Sequence, residues 1–171
     1  VRIEGFAGGD RSNLDLPKLQ QQLMEKVVEA AKGKPVVLVL LNGSALSIGW
    51  ADQNVPAIVE AWYGGQAAGT AVGEVLFGDV SPAGRLPLTF YRSLDQLPPF
   101  DDYAMKGRTY RYFTGQPLYP FGHGLSYSRF KYSKLALPKK AAAGAPVAVS
   151  VEVRNAGAVA ADEVVQLYVT D

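Results

Sequence analysis

Leu19, Leu23, Val27 and Ala31 recur at every fourth position, which predicts a helix with one apolar stripe. Asp15 is placed to cap its start, Pro17 suits its first turn, and Lys32-Gly33-Lys34 followed by Pro35 ends it. The next run, Pro35-Val-Val-Leu-Val-Leu-Leu41, is apolar on both faces and short, as a strand covered by helices on both sides of a parallel sheet must be. Asn42-Gly-Ser44 reads as the turn leaving it. The pattern then repeats. Ala57–Trp62 is a second expected strand, and Gly64-Gly-Gln66 a turn into a helix over Ala67–Phe77, with Ala68, Val72, Val75 and Leu76 on one face. Gly78 stops that helix, and a third strand is expected at Arg85–Tyr91. A short strand at Val1–Phe6 and a glycine-rich loop, Gly5–Arg11, precede all of this. Such alternation implies an α/β fold, a layered parallel sheet with helices on both faces and right-handed crossovers.

Beyond Tyr91 the pattern changes. Twelve aromatic residues fall between Phe90 and Tyr132, interleaved with Pro98, Pro99, Pro117 and Pro120, which predicts a long irregular segment packed over something. A linker rich in Ala, Lys, Gly and Pro follows at residues 133–146. Val147, Val149, Val151 and Val153 then alternate with polar or small residues, Asn155-Ala-Gly157 reads as a turn, and Asp162–Thr170 as another strand. The expected division is 1–132 for the α/β domain, 133–146 for the linker, and 147–171 for the opening of an all-β sandwich, since two strands alone are marginally stable.

Composition narrows the chemistry. The 171 residues include no Cys and one His, and the formal net charge is +1. Thiolate chemistry, disulfides, Cys-ligated metals and multi-His metal sites are therefore excluded within this sequence. A near-neutral balance gives no footprint for nucleic acid. No apolar run approaches the ~20 residues of a membrane span, and no secretory leader is visible. The first residue is not Met and the last residues read as strand, so a piece of a longer protein is expected.

Single motifs are weak. Gly64-Gly-Gln-Ala-Ala-Gly69 sits where dinucleotide fingerprints occur but has Gln66 at the third position, so a tight turn with Gly69 for close helix packing is the simpler reading. Gly5–Arg11 lacks the Lys-Ser/Thr of a phosphate loop. Gly124-Leu-Ser126-Tyr-Ser128 nearly matches a nucleophile elbow, yet its fifth residue is Ser, and His123 lies too close in sequence to serve as base. Carboxylates are the abundant acid–base groups, and Glu4, Asp10, Asp79, Asp101 and Asp102 all fall in loops or at element ends, with no spacing that pairs any two. Asp10-Arg11 reads as a loop anchor, Asp79 as a turn cap, and Asp101 and Asp102 as solvated charges.

The motifs taken together say more. Gly8-Gly-Asp-Arg11, Leu14-Asp-Leu-Pro17, Pro35–Gly43, Trp62-Tyr-Gly-Gly-Gln-Ala-Ala-Gly69, Glu74–Thr89 and Tyr119-Pro-Phe-Gly-His-Gly-Leu-Ser-Tyr127 occur in that order. The set resembles the C-terminal portion of glycoside hydrolase family 3 enzymes, the β-glucosidases and β-xylosidases. Residues 149–169 resemble the opening of the fibronectin type III-like domain that often follows. The resemblance implies an (α/β)6 sandwich preceded by a barrel domain against which this chain packs. It also implies a retaining exo-acting β-glycosidase using a barrel Asp as nucleophile and a Glu as acid–base.

That Glu is expected some eleven to thirteen residues before Asp10, ahead of Val1, so neither catalytic carboxylate is expected here; Glu4 is the outside candidate. Gly107-Arg-Thr-Tyr-Arg-Tyr-Phe113 is similar to the corresponding stretch of β-xylosidases and α-arabinofuranosidases. The aromatic segment is expected either to line the leaving-group side of the sugar site or, the favoured reading, to fasten the α/β domain to the β-domain. The implied substrate is an oligosaccharide or an aryl or alkyl β-glycoside, with no cofactor, no nucleic acid and no membrane partner, in a periplasmic or secreted setting. A non-catalytic module for carbohydrate contact or domain association is the alternative.

Overall fold

A computed structural model of the chain describes residues 11–170. The described residues divide into two compact units, one made of residues 11–69 with Leu86–His123, the other of Thr70–Arg85 with residues 124–170.

In the first unit, helix α1 spans Lys18–Ala31. Its N-cap is Pro17 and not Asp15, and no side chain caps it. Pro17 starts the helix after itself, its carbonyl receiving the Gln20 and Gln21 N–H groups at 2.8 and 3.0 Å. Asp15 is too far upstream to reach the first turn, and its own N–H goes to Asn13 Oδ1 at 3.2 Å. The helix ends as expected in left-handed backbone, at Lys32 (φ 48°) and Gly33 (φ 82°). Met24 is the residue buried from α1, while Leu19, Leu23 and Val27 of the expected stripe are exposed, and Leu23 and Val27 border a cleft of about 1260 Å³ shared with Val37 and Leu41.

Strand β1, Val37–Leu40, pairs in parallel with β2, Ala57–Glu60, in the register Val37↔Ala57 to Leu40↔Glu60. Between them lies α2, Gly49–Asn54, which periodicity could not signal because six residues hold fewer than two turns. Ile48 and Ala51 nevertheless anchor it in the core with Leu40, Leu46, Phe90 and Leu118.

The third expected strand does not join this sheet. Arg85–Tyr91 runs antiparallel to residues 118–123 through isolated bonds: Leu86 N–H to His123 O and Gly122 N–H to Leu86 O, both 2.8 Å, and a bridge at Phe90↔Tyr119. Pro87 and Pro120 remove donors from the two facing segments, so no continuous ladder forms. The aromatic segment also contains regular turns, a 3-10 turn at Leu94–Gln96 and a short helix α4, Thr109–Tyr112.

In the second unit, helix α3 (Ala68–Phe77, its first two residues belonging to the first unit) matches expectation, though none of its residues is buried. Among the described residues Gly69 meets nothing where a Cβ would stand; the close approach is at Gly64, where a Cβ would lie 2.7 Å from that of Ala68. Strands β3, Phe130–Ala136, and β4, Ser150–Asn155, pair antiparallel with an irregularity between Ser133 and Ala136. β3 thus runs across residue 132 into the stretch expected as linker. Among the described residues Asp162–Thr170 pairs with no other strand, and a strand without a partner ladder is not stable as sheet.

Arg85 organises this unit. Its guanidinium meets Glu163 at 2.6 Å and the carbonyls of Ala83 and Gly84 at 3.1 and 3.0 Å, while Tyr132 donates to the other Glu163 oxygen at 2.7 Å. Gly124 has to be glycine, since a Cβ there would stand 2.3 Å from Gly84 O. The architecture is mixed α/β with small sheets.

Candidate functional site

Parallel strands direct their carboxyl ends to one edge, where ligand sites of open α/β sheets form. At that edge β1 runs out through Leu41 into Asn42-Gly43, and β2 ends at Glu60. The register places Leu40 opposite Glu60, so Asn42 and the Glu60 carboxylate meet directly: Asn42 Nδ2 donates to Glu60 Oε2 at 3.3 Å and to Ser44 O at 2.8 Å. Both partners are acceptors, which fixes the amide orientation and leaves Oδ1 facing inward. That atom is buried and has no donor among the described residues.

The other Glu60 oxygen receives the Trp62 N–H at 3.3 Å. Burial pushes the Glu60 carboxyl above its ordinary range, against the two hydrogen bonds that favour its ionised form. Trp62 itself holds left-handed backbone at φ 52°, a conformation that costs a bulky residue about 1–2 kcal/mol. Its ring is pinned edge-on to Phe90 at 6.3 Å, which carries that cost. The turn then throws Tyr63 outward, 78% exposed, with its ring across Gly43; a Cβ at Gly43 would lie 2.8 Å from that ring. A half-buried carboxylate, an orphaned amide oxygen, a strained backbone and an exposed ring therefore converge on one strand edge.

Asn42, Trp62 and Tyr63 fall within motifs named above, but none of these residues was singled out as a site residue from the sequence. The available signal was a polar residue placed directly after each apolar run, Asn42 and Glu60. Among the residues that were singled out, Glu4 and Asp10 lie outside the described residues. Arg11 does anchor its loop, donating to Ala45 O at 2.8 Å. Asp79, Asp101 and Asp102 are exposed, and Asp102 Oδ1 accepts only the local Ala104 N–H. Ser126 Oγ pairs with Ser81 Oγ at 3.0 Å and accepts the Ser128 N–H, a structural arrangement. His123 stacks on Tyr119 at 5.0 Å, and Tyr119 donates to Asp52 at 2.6 Å. Desolvation and that carboxylate raise the Tyr119 phenol well above its usual range, so it serves as a fixed donor. In the 107–113 stretch, Arg108 ties the loop to the carbonyls of Pro99, Asp102 and Ala104. The Thr109 N–H donates to Tyr91 OH, and Phe113 packs edge-on against Tyr91 at 5.0 Å.

Comparison with known proteins bears on this arrangement. Residues 2–127 match the sequence profile described as the glycosyl hydrolase family 3 C-terminal domain. The chain belongs to glycosyl hydrolase family 3. It is 48% identical over 169 residues to a xylan 1,4-beta-xylosidase of Xylanibacter ruminicola, a match covering 99% of this chain and 19% of that protein. It is 41% identical to a periplasmic beta-glucosidase of Salmonella typhimurium, over 94% of this chain and 22% of that one. Among solved structures, the beta-D-glucoside glucohydrolase of Trichoderma reesei aligns with a TM-score of 0.78 at 31% identity, over 93% of this chain and 26% of that one. The chain spans about a fifth of the length of the curated relatives it matches. Among the described residues, no helix is long and apolar enough to cross a membrane.

Proposed function

We propose that this chain is part of a longer polypeptide that acts as a retaining, exo-acting β-glycosidase, releasing terminal β-D-glucosyl or β-D-xylosyl residues from oligosaccharides and glycosides. The observation that carries the reading is the near-complete alignment of the chain with a β-xylosidase at 48% identity. Two carboxyls about 5–5.5 Å apart would do the chemistry, one as nucleophile and one as acid–base. On this reading both lie outside the chain, and Glu4 is not the acid. The chain's role is to build part of the domain that bears the acid–base carboxyl and to pack against the barrel that bears the nucleophile.

The finer domain plan belongs to the same proposal: 1–132 as part of an (α/β)6 sandwich, 133–146 as linker, and 147–171 as the opening of a fibronectin type III-like domain. The open apolar face of Leu19, Leu23 and Val27 supports it, since such a stripe is stable when further sheet and helix cover it. A periplasmic or secreted setting is proposed by analogy with the Salmonella relative.

The test is hydrolysis of aryl β-xylosides and β-glucosides by the longer polypeptide, with the anomer of the first-formed sugar read by proton NMR. Release of the β-anomer is expected. Inverted product, or no release from either glycoside, overturns the proposal; the second outcome favours a non-catalytic carbohydrate-contacting module.

A further inference from the structure

The geometry points to the edge formed by Asn42, Glu60 and Tyr63 as a binding site for a pair of neighbouring hydroxyls on a sugar ring, an inference that rests on the glycosidase reading for its ligand class. What is missing at this edge is a donor. Asn42 Oδ1 is buried and receives none among the described residues, while its own amide N–H groups are committed to Ser44 O and Glu60. Glu60 receives two long contacts, both 3.3 Å, and four lone-pair sites leave room for more. Two adjacent acceptors with no free donor between them select a ligand that presents O–H groups side by side. A phosphate or carboxylate ligand would bring only further acceptors.

An ammonium ligand is the competing donor. It is disfavoured because one acceptor is a neutral amide and because burial already penalises charge on the other. The exposed Tyr63 ring supplies the remaining element of sugar recognition, an aromatic face for ring C–H groups. That ring lies across Gly43, beside Asn42, on a turn set by left-handed backbone at Trp62 and Gly65. The Trp62 strain has a purpose on this account: it holds the Glu60 carboxylate by its N–H while aiming the following ring outward.

The experiment is a titration of the 171-residue chain with D-xylose and D-glucose, followed by NMR on the Asn42 side-chain amide and the Trp62 indole. Methylammonium, which carries three N–H donors, is the competing probe. Saturable shifts at both reporters are expected with a sugar. Tyr63→Ala, an exposed substitution that leaves the fold intact, should weaken binding about five- to tenfold. Asn42→Asp, which keeps the shape but removes the donor to Glu60, should weaken it further. Absence of saturable shifts, shifts unchanged in Tyr63→Ala, or a response to methylammonium alone overturns the inference. Hydrolysis by the longer polypeptide is read separately, so loss of this site and loss of the glycosidase assignment are distinguishable.

Discussion

The two units of the chain are held together by different forces. Every residue of the buried hydrophobic cluster, from Met24 to Leu118, belongs to the first unit, and Phe90 is 1% exposed at its centre. The second unit has a larger paired sheet but no such cluster among the described residues; β4 is mostly exposed and α3 buries nothing. Its organising contacts are polar: the Arg85–Glu163 pair with side chains 11% and 15% exposed, the Tyr132 hydroxyl, and the Ser81–Ser126 bond. Burial supplies most of the stability in one and hydrogen-bonded charge holds the other, so their responses to mutation should separate.

The largest effect is expected from Phe90→Ala, which should cost about 3–5 kcal/mol by emptying a closed site. Chemical denaturation followed by Trp fluorescence checks it, because Trp50 and Trp62 both report on the first unit. If the amide signals of β3 and β4 vanish with the same midpoint, the units unfold as one block and the comparison fails.

Next is Glu163→Leu, which leaves Arg85 mostly buried without its partner and should cost about 2–4 kcal/mol in the second unit. The Arg85→Leu/Glu163→Leu double variant should recover most of that loss. A double variant as unstable as the sum of the two singles would show that the pair is not the organising contact.

How much of this was legible in the sequence follows the same divide. α1, β1, β2 and α3 were readable because repeating apolar residues report burial in the folded molecule. The failures have physical causes. Pro87 and Pro120 turned a readable strand into scattered bonds, and six residues of α2 were too few to show a period. The apolar stripe of helix α1 was legible, while its exposure at Leu19, Leu23 and Val27, with Met24 as the buried residue, was not. The Asn42–Glu60 contact joins residues 18 positions apart, and only the parallel register brings them together. Lone motifs such as Gly124–Ser128 said little because their chemistry depends on partners that spacing does not supply, and Ser126 is in fact paired with Ser81.

A third test concerns Glu60. Its carboxyl is raised above the ordinary 4.5 in the folded protein, so the folded state holds that proton more tightly than the unfolded one. The associated stability is present below pH 4.5 and is lost as pH rises through the folded value. Glu60→Gln should therefore flatten the fall in the first unit's unfolding midpoint over that window. An unchanged slope would remove Glu60 as its source.

The smallest effect is expected at Lys134–Glu152, an exposed pair at 2.5 Å on the β3–β4 ladder. Lys134→Ala should change stability by less than about 1 kcal/mol, and less still in high salt. A loss matching that of Glu163→Leu would erase the distinction between shielded and exposed charge in the second unit.

The central proposal is that the catalytic carboxylates of the longer polypeptide lie outside this chain. The most direct measurement is turnover of 4-nitrophenyl β-D-xyloside and β-D-glucoside by the 171-residue chain beside the longer polypeptide at equal molarity. The account predicts release by the longer polypeptide and none above blank by the chain. Release by the chain that disappears in Glu4→Gln would contradict it.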